Sequence, residues 1–158
     1  MEHKIWPSAY QNSSKSIIER NDCVVRALTE TFNLNYDEAH LFAEKNLNRK
    51  PRKGVAMTAN KLTELSQKNT TINNFSIHAV PNKEITYFGT KTKIGMLNGD
   101  EKELHRMTVG MFLRLKKVGR YLILVKGHAF SIVDGVIIGN KKDTLCLRCR
   151  ILNVFEAK

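Results

Sequence analysis

Three residues of types that carry nucleophilic catalysis follow one another along the chain: a cysteine, a histidine and an asparagine. Cys23 lies in the stretch Asn21-Asp22-Cys23-Val24-Val25, and His128 and Asn140 follow about a hundred residues later. A thiol becomes a strong nucleophile when a neighbouring base removes its proton, and imidazole is the usual base. A polar side chain that orients the ring completes such a set. The order of these residues therefore indicates attack on a carbonyl carbon.

A helix is predicted to begin at Cys23. A short polar side chain, Asp22 or Asn21, can accept hydrogen bonds from the N–H groups of a first helical turn. The aligned peptide dipoles of a helix leave partial positive charge at its N-terminus, which favours thiolate over thiol. Apolar residues recur at helical spacing and give this helix a face to bury: Val25, Leu28 and Phe32.

The histidine is predicted to lie at the head of a β-hairpin. Residues 121–125 and 129–133 are apolar and rich in β-branched types, and Asp134-Gly135 is a two-residue turn signal before 136–138. A rigid strand is where an imidazole ring must be held if it is to take a proton from a thiol. Asn140 comes just after the returning strand and completes the chain order Cys, His, Asn.

These two stretches resemble the papain-like cysteine peptidases, in particular small bacterial and phage proteins that begin Asn-Asp-Cys-Val-Val-Arg-Ala-Leu. Those proteins end with a Gly-His-Ala stretch and a Val-Asp-Gly hairpin. The resemblance covers about residues 16–35 and 108–140 and leaves the middle of the chain unmatched. It implies a catalytic triad in which Cys23 is the nucleophile, His128 is the general base and acid, and Asn140 orients the imidazole ring.

The chain departs from this family at the oxyanion position. Papain-like enzymes usually place a glutamine shortly before the cysteine, at the position that Ile17 occupies here. The nearest side-chain amide is Asn21, so we assign the oxyanion role to Asn21 and the backbone N–H of Cys23. Asp143 and Asp134 are alternatives for the third triad member. Asp134 lies in the predicted turn, where aspartate commonly serves turn chemistry.

Length and composition predict one domain over residues 1–158, since 158 residues with 42% hydrophobic content can bury a core. Residues 1–20 are expected to form an irregular N-terminal arm, and residues 82–107 are expected to form weak strands or an insertion loop. We expect a papain-like α+β fold with N-terminal helices packed on a mostly antiparallel C-terminal sheet. Beyond the Cys23 helix, the predicted helices are 36–44, 57–65 and 109–116, and the predicted strands are 75–80, 121–126, 128–133, 136–139 and 144–155.

The net charge of +11 favours polyanionic partners. The basic residues are dispersed, and one exposed loop is the best candidate for first contact with nucleic acid: Arg49, Lys50, Arg52 and Lys53. A second interpretation therefore stands beside the enzyme. In this alternative the chain is a catalytically inactive basic module of papain-like fold that binds nucleic acid or a partner protein.

The cysteines do not indicate a disulfide framework, because they are three in number and Cys23 lies far from Cys146 and Cys149. The N-terminus shows neither a signal peptide nor a membrane span. We therefore expect a cytoplasmic protein, or one of the host cytoplasm or virion if the chain is phage-encoded. Cys146 and Cys149 have the spacing of half a zinc site, but no second cysteine pair completes it. No metal and no cofactor are expected.

Taken together, the residues predict a thiol hydrolase, a cysteine peptidase or isopeptidase, acting on a peptide or protein substrate away from membranes. The same machinery performs acyl transfer, and the residues do not separate these reactions. Phosphate-binding, dinucleotide-binding, zinc-peptidase and serine-hydrolase motifs are absent from the sequence.

Overall fold

The computed structural model describes residues 3–5, 22–48, 58–92, 100–139 and 147–158. Within these residues the chain forms four α-helices, a seven-stranded sheet and a separate two-stranded sheet. The strand pairs in the described residues are antiparallel, apart from one parallel pair at the edge of the larger sheet. The fold class is therefore α+β with a mostly antiparallel sheet, as the sequence predicts.

The helices are α1 (Cys23–Phe32), α2 (Tyr36–Asn46), α3 (Thr58–Gln67) and α4 (Val109–Leu115). Asn35 caps α2, because its side-chain oxygen accepts a hydrogen bond of 2.8 Å from the Glu38 N–H. Thr108 caps α4 in the same way through the Met111 N–H, at 3.2 Å. Asn33 ends α1 in the left-handed region, with φ of 53°, which asparagine tolerates well.

The strands are β1 (His3–Ile5), β2 (Thr71–Ile72), β3 (Phe75–Ala79), β4 (Thr86–Thr92), β5 (Asp100–Arg106), β6 (Arg120–Val125), β7 (His128–Val133), β8 (Val136–Gly139) and β9 (Asn153–Ala157). The larger sheet has the order β1-β8-β7-β6-β9-β3-β2, and β4 pairs with β5 in the smaller one. In the β6–β7 hairpin, His128 lies opposite Val125 and Arg120 lies opposite Val133. His128 therefore lies at the end of the sheet where β6 turns into β7.

Two hydrophobic clusters cover opposite faces of the larger sheet. The helices α1, α2 and α3 pack on the face that carries Leu122, Leu124 and Ala129. Helix α4 packs on the face that carries Ile123, Phe130 and Ile132, where Phe112 is 1% exposed. Alternate residues of β6 and β7 thus point to different clusters, as the two-residue period of a strand requires. Strands β6 and β7 are buried on both faces, and this explains their nearly continuous apolar sequence.

Two segments differ from the sequence expectation, one near each end of the chain. Residues 3–5 of the expected irregular arm form β1, which pairs in parallel with β8. The segment expected as weak strands or an insertion loop contains a 3-10 turn (Asn82–Glu84) followed by the β4–β5 hairpin. The described C-terminal strand is Asn153–Ala157, whereas the pattern predicted a strand from 144 onwards. Residues 147–148 form a short 3-10 turn instead.

Candidate active site

Cys23 is the first residue of α1 and carries a free, half-buried thiol. The next two residues, Val24 and Val25, are buried, and Cys23 packs at the edge of the same cluster. The apolar spacing of the helix holds this turn against the sheet. The thiol therefore lies at a helix N-terminus, where backbone N–H groups have no partner within the helix.

Asp22 occupies the N-cap position of α1, but its side chain makes no capping hydrogen bond. The cap role expected for Asp22 is therefore wrong. Its carboxylate instead accepts a hydrogen bond of 2.9 Å from Arg26 Nε and one of 2.8 Å from the Tyr36 hydroxyl group. Both partners are partly buried, and they hold the carboxylate in contact with Arg26 and Tyr36. The Asp22 side chain therefore does not bind the first-turn N–H groups of α1.

His128 is the first residue of β7 and is half-buried. Gly127 precedes it with φ of 71°, a conformation that glycine adopts without strain in the tight turn from β6. The imidazole ring lies against the ring of Phe130, with centroids 6.0 Å apart and an interplanar angle of 32°. The strand thus supplies a rigid support for the ring.

Helix α1 runs parallel to β7, so that the first residues of both elements lie at the same end. The Ser131 hydroxyl donates to the Ala27 carbonyl oxygen at 2.8 Å, and Arg120, opposite Val133, donates from Nε to the Thr31 carbonyl oxygen at 2.8 Å. From the Ser131–Ala27 contact, Cys23 is about 6 Å back along the helix and His128 about 10 Å back along the strand. The two elements predicted to carry the pair therefore begin at the same end of the sheet.

The two side chains belong to opposite faces of the sheet. Ala129 packs in the α1 cluster and Ser131 bonds to α1, whereas Phe130 packs in the α4 cluster. Strand alternation assigns His128 to the Phe130 face, and Cys23 packs on the α1 face. A contact between the Cys23 thiol and the His128 imidazole therefore has to pass around the N-terminal end of β7, where the strand begins.

Most other predicted site residues lie outside the described residues: Asn21, Asn140, Asp143, Arg49, Lys50, Arg52 and Lys53. Asp134, the other alternative for the third triad position, is described and is wrong for that role. It lies in the β7–β8 turn with φ of 48°, and its Oδ1 accepts a hydrogen bond of 2.9 Å from the Gly119 N–H. Six residues of extended strand, about 20 Å, separate it from His128. Asp134 therefore serves the turn.

The cysteines differ in state. Cys23 is free, but Cys149 is disulfide-bonded, so the expectation of a chain without a disulfide is wrong for Cys149. Cys146, three residues before it, lies outside the described residues. No group of three or more histidine, cysteine, aspartate or glutamate side chains in the described part of the chain could hold a metal ion. The free thiol of Cys23 is thus chemically distinct from Cys149.

Sequence reasoning missed the polar network beside Cys23. The Arg26 guanidinium group bonds to Asp22 and also lies 5.9 Å from the centroid of the Tyr36 ring. Next along α2, the buried His40 lies 6.1 Å from the same ring. The spacing of Asp22 and Arg26, four residues apart on one helix, is a signal that could have revealed the ion pair. The contact with Tyr36 joins two helices and has no local signal.

A second group of ionisable side chains lies far along the sheet, around Tyr121. Burial and the nearby carboxylates of Glu156 and Glu84 raise the pKa of the Tyr121 phenol above its ordinary value of 10.0. The side chain lines a polar surface cavity of about 410 Å³, and its hydroxyl donates to the Val118 carbonyl oxygen at 3.1 Å. Arg120 and Tyr121 begin β6, whose start lies opposite the end of β7. This group is therefore separate from Cys23.

No family model, curated protein or solved structure matches this chain. Among the described residues, no helix is long and apolar enough to cross a membrane.

Proposed function

We propose that this chain is a thiol hydrolase of the papain-like type, a cysteine peptidase or isopeptidase, that cleaves an amide bond with Cys23 and His128. The observation that carries the proposal is the parallel packing of α1 and β7, since it brings a helix N-terminal cysteine and a strand-initial histidine to one end of the sheet. The half-buried, free state of the thiol supports it as well. A fully buried cysteine would instead act as a small hydrophobic residue.

In the proposed reaction, His128 accepts the thiol proton of Cys23, and the sulfur attacks the carbonyl carbon of the amide. The first-turn N–H groups of α1, with Asn21, stabilise the negative oxygen of the tetrahedral intermediate. The carbon–nitrogen bond then breaks, and His128 returns the proton to the leaving amine. Water, activated by His128, hydrolyses the remaining thioester and releases the acid. Asn140 is proposed to orient the imidazole ring.

The carboxylate of Asp22 would oppose a negative sulfur atom next to it, because like charges disfavour each other. The ion pair with Arg26 offsets this effect, since the guanidinium group lies 2.9 Å from the carboxylate oxygen and one helical turn from Cys23. The hydrogen bond from Tyr36 fixes the carboxylate in this arrangement. The surroundings of Cys23 are thus compatible with a reactive thiolate.

Alkylation of the whole, non-reduced chain by iodoacetamide tests the proposal, with the labelled site identified by mass spectrometry. Cys23 is expected to react rapidly well below about pH 8, where an ordinary thiol is largely protonated. The His128→Ala variant should lose this rapid reaction, and His78→Ala, a change at an exposed histidine of β3, should keep it. Equal labelling of wild type and His128→Ala throughout the pH range would exclude the ion pair and the enzyme.

The charge of +11 supports a second candidate, the catalytically inactive basic module that binds nucleic acid or a partner protein. The isoleucine at position 17, where papain-like enzymes have their oxyanion glutamine, points the same way. Binding of nucleic acid would weaken steeply as salt is added. A chain whose Cys23 labels like an ordinary thiol, yet which shifts nucleic acid in a salt-dependent manner, would favour this candidate.

A further inference from the structure

The β4–β5 hairpin exposes an aromatic and an aliphatic side chain next to each other. Phe88 and Leu104 are direct cross-strand partners, and they are 72% and 57% exposed. The hairpin forms a two-stranded sheet of its own. On its other face, Tyr87 and His105 pack ring against ring, with centroids 5.5 Å apart. The Phe88 face is therefore the outward one, and it leaves a flat ring open to solvent.

Two exposed arginines lie at the base of this hairpin. Arg106 Nη1 donates to the Leu152 carbonyl oxygen at 2.7 Å. Arg150 Nη1 donates to the Arg106 carbonyl oxygen at 2.8 Å and to the Tyr87 hydroxyl oxygen at 3.2 Å, so the Arg150 side chain is tied to the Tyr87 face. Each guanidinium group has five N–H donors, so one or two contacts with neutral oxygens leave donors for a ligand.

Among the described residues, no carboxylate forms an ion pair with Arg106 or Arg150. Cations elsewhere do have such partners, as in the pairs Arg26–Asp22 and Lys116–Glu84. The Phe88 face thus combines the Arg106 cation with an exposed ring. A complementary ligand carries negative charge together with flat apolar groups.

We propose that this surface, formed by Phe88, Leu104 and Arg106, binds single-stranded nucleic acid. Strand alternation puts Arg106 on the Phe88 face, and its pairing with Thr86 sets it two residues, about 7 Å, from the Phe88–Leu104 pair. One nucleotide can therefore stack its base on the Phe88 ring while a neighbouring phosphate meets the guanidinium group. A duplex keeps its base faces stacked internally and offers no such contact. An acidic peptide can pair with the Arg106 guanidinium group but has no base to stack on the Phe88 ring.

Fluorescence anisotropy of a labelled deoxythymidine oligonucleotide tests this with the full chain. Phe88→Ala is expected to weaken binding about tenfold, because one base loses its stacking partner, whereas Phe88→Tyr should bind as wild type does. Leu41→Ala, a change at another exposed apolar residue, on α2, is the matched control and should have no effect. Arg106→Gln should reduce the slope of log affinity against log salt by about 1.

The Phe88→Trp variant gives a second readout that does not depend on loss of binding. Its indole fluorescence, after subtraction of the wild-type signal from Trp6, should be quenched by the oligonucleotide. The Phe88→Trp/Arg106→Gln double variant should be quenched only at higher oligonucleotide concentration. Unchanged affinity in Phe88→Ala, or absence of quenching in Phe88→Trp, would overturn the proposal. Competition by duplex DNA or polyglutamate as strong as by the unlabelled oligonucleotide would also overturn it, in the latter case in favour of an acidic protein partner. Cys23→Ser should bind normally, so the outcome is independent of the hydrolase.

Discussion

The hydroxyl group of Ser131 lies 2.8 Å from the carbonyl oxygen of Ala27, and this contact ties the middle of β7 to the middle of α1. The same hydroxyl oxygen lies 2.8 Å from Thr31 Oγ1, and both hydroxyl-bearing residues are fully buried. Small side chains at positions 27 and 131 let the helix approach the strand closely. The buried hydroxyl groups then fix the offset between them, because an unpaired polar group would be costly in this core.

A double-mutant cycle on Thr31 and Ser131 tests this link. Thr31→Val and Ser131→Ala should each lower the free energy of unfolding by about 1–3 kcal/mol, because each leaves a buried polar partner unsatisfied. The double variant should deviate from additivity by about 0.5 kcal/mol or more, as expected for side chains in contact. Urea unfolding followed by circular dichroism measures these values. Thr63→Val, whose hydroxyl bonds within α3 to Ala59, is the control and should be additive with Ser131→Ala. Additivity of Thr31→Val with Ser131→Ala would contradict the link.

Local sequence signals predicted the elements that carry the candidate site. The spacing of apolar residues after Cys23, the Asn35 and Thr108 caps, and the Asp134-Gly135 turn all depend on near neighbours in the chain. The structure confirms the helices and strands that they indicated, with shifts of one or two residues at several ends. The hairpin register likewise follows from the two-residue turns.

Long-range relationships could not be read from the sequence. The parallel pairing of β1 with β8 joins residues more than a hundred positions apart, and no pattern in His3–Ile5 predicts it. The face of β7 on which His128 lies depends on which alternate residues meet α1. Both faces of β7 are apolar, so the sequence shows no alternation of polar and apolar residues from which the two faces could be told apart. The deflection of Asp22 towards Tyr36 depends in the same way on the packing of two helices.

Arg120 caps the C-terminal end of α1, so we expect Arg120→Lys to lower the stability of the fold. Its Nε donates to the Thr31 carbonyl oxygen, and its Nη2 donates to that of Glu30. Lysine has a single ammonium group and cannot reproduce this fork. Arg120→Lys should therefore lower the free energy of unfolding by about 1–2 kcal/mol. This should be most of the loss that we expect for Arg120→Met. Arg114→Lys, at an exposed position of α4, should change it by less than about 0.5 kcal/mol. Wild-type stability of Arg120→Lys in urea unfolding would refute the capping role.

Tyr121 predicts a loss of stability in alkali. Its phenol has a pKa above 10.0 in the folded chain, whereas in the unfolded chain the ordinary value applies. Above pH 10 the unfolded state therefore releases a proton that the folded state retains, so the free energy of unfolding falls as the pH rises further. Below pH 10 both states are protonated, and this contribution is constant. Unfolding measured at several pH values should show a shallower alkaline decline for Tyr121→Phe. An ultraviolet titration should show that this variant lacks one tyrosine that ionises above the ordinary range.

The contact between Gly89 and His105 predicts that Gly89→Ala changes the thermal midpoint in opposite directions with and without the His105 side chain. A Cβ atom at Gly89 would lie 2.5 Å from His105 Cδ2 and 2.8 Å from Nε2, so Gly89→Ala must displace the imidazole ring from Tyr87. We expect Gly89→Ala alone to lower the thermal midpoint. In a His105→Ala background the obstruction is absent, and replacing a strand glycine should raise the midpoint instead. Differential scanning calorimetry of the four proteins checks this, and a loss of equal size in both backgrounds would count against the steric reason.

The Asp22–Arg26 ion pair predicts opposite effects of its two members on the reactivity of Cys23. Arg26→Met leaves the Asp22 carboxylate without its cationic partner beside the thiol, so alkylation by iodoacetamide at neutral pH should slow several-fold. Asp22→Asn removes the opposing negative charge and should speed alkylation. The double variant Asp22→Asn/Arg26→Met should return towards the wild-type rate, since both charges are gone. Arg114→Met, a loss of an exposed arginine on α4, serves as the control for net charge and should leave the rate unchanged. Slowing in both single variants would instead indicate that the pair acts only by holding the first turn of α1 in shape.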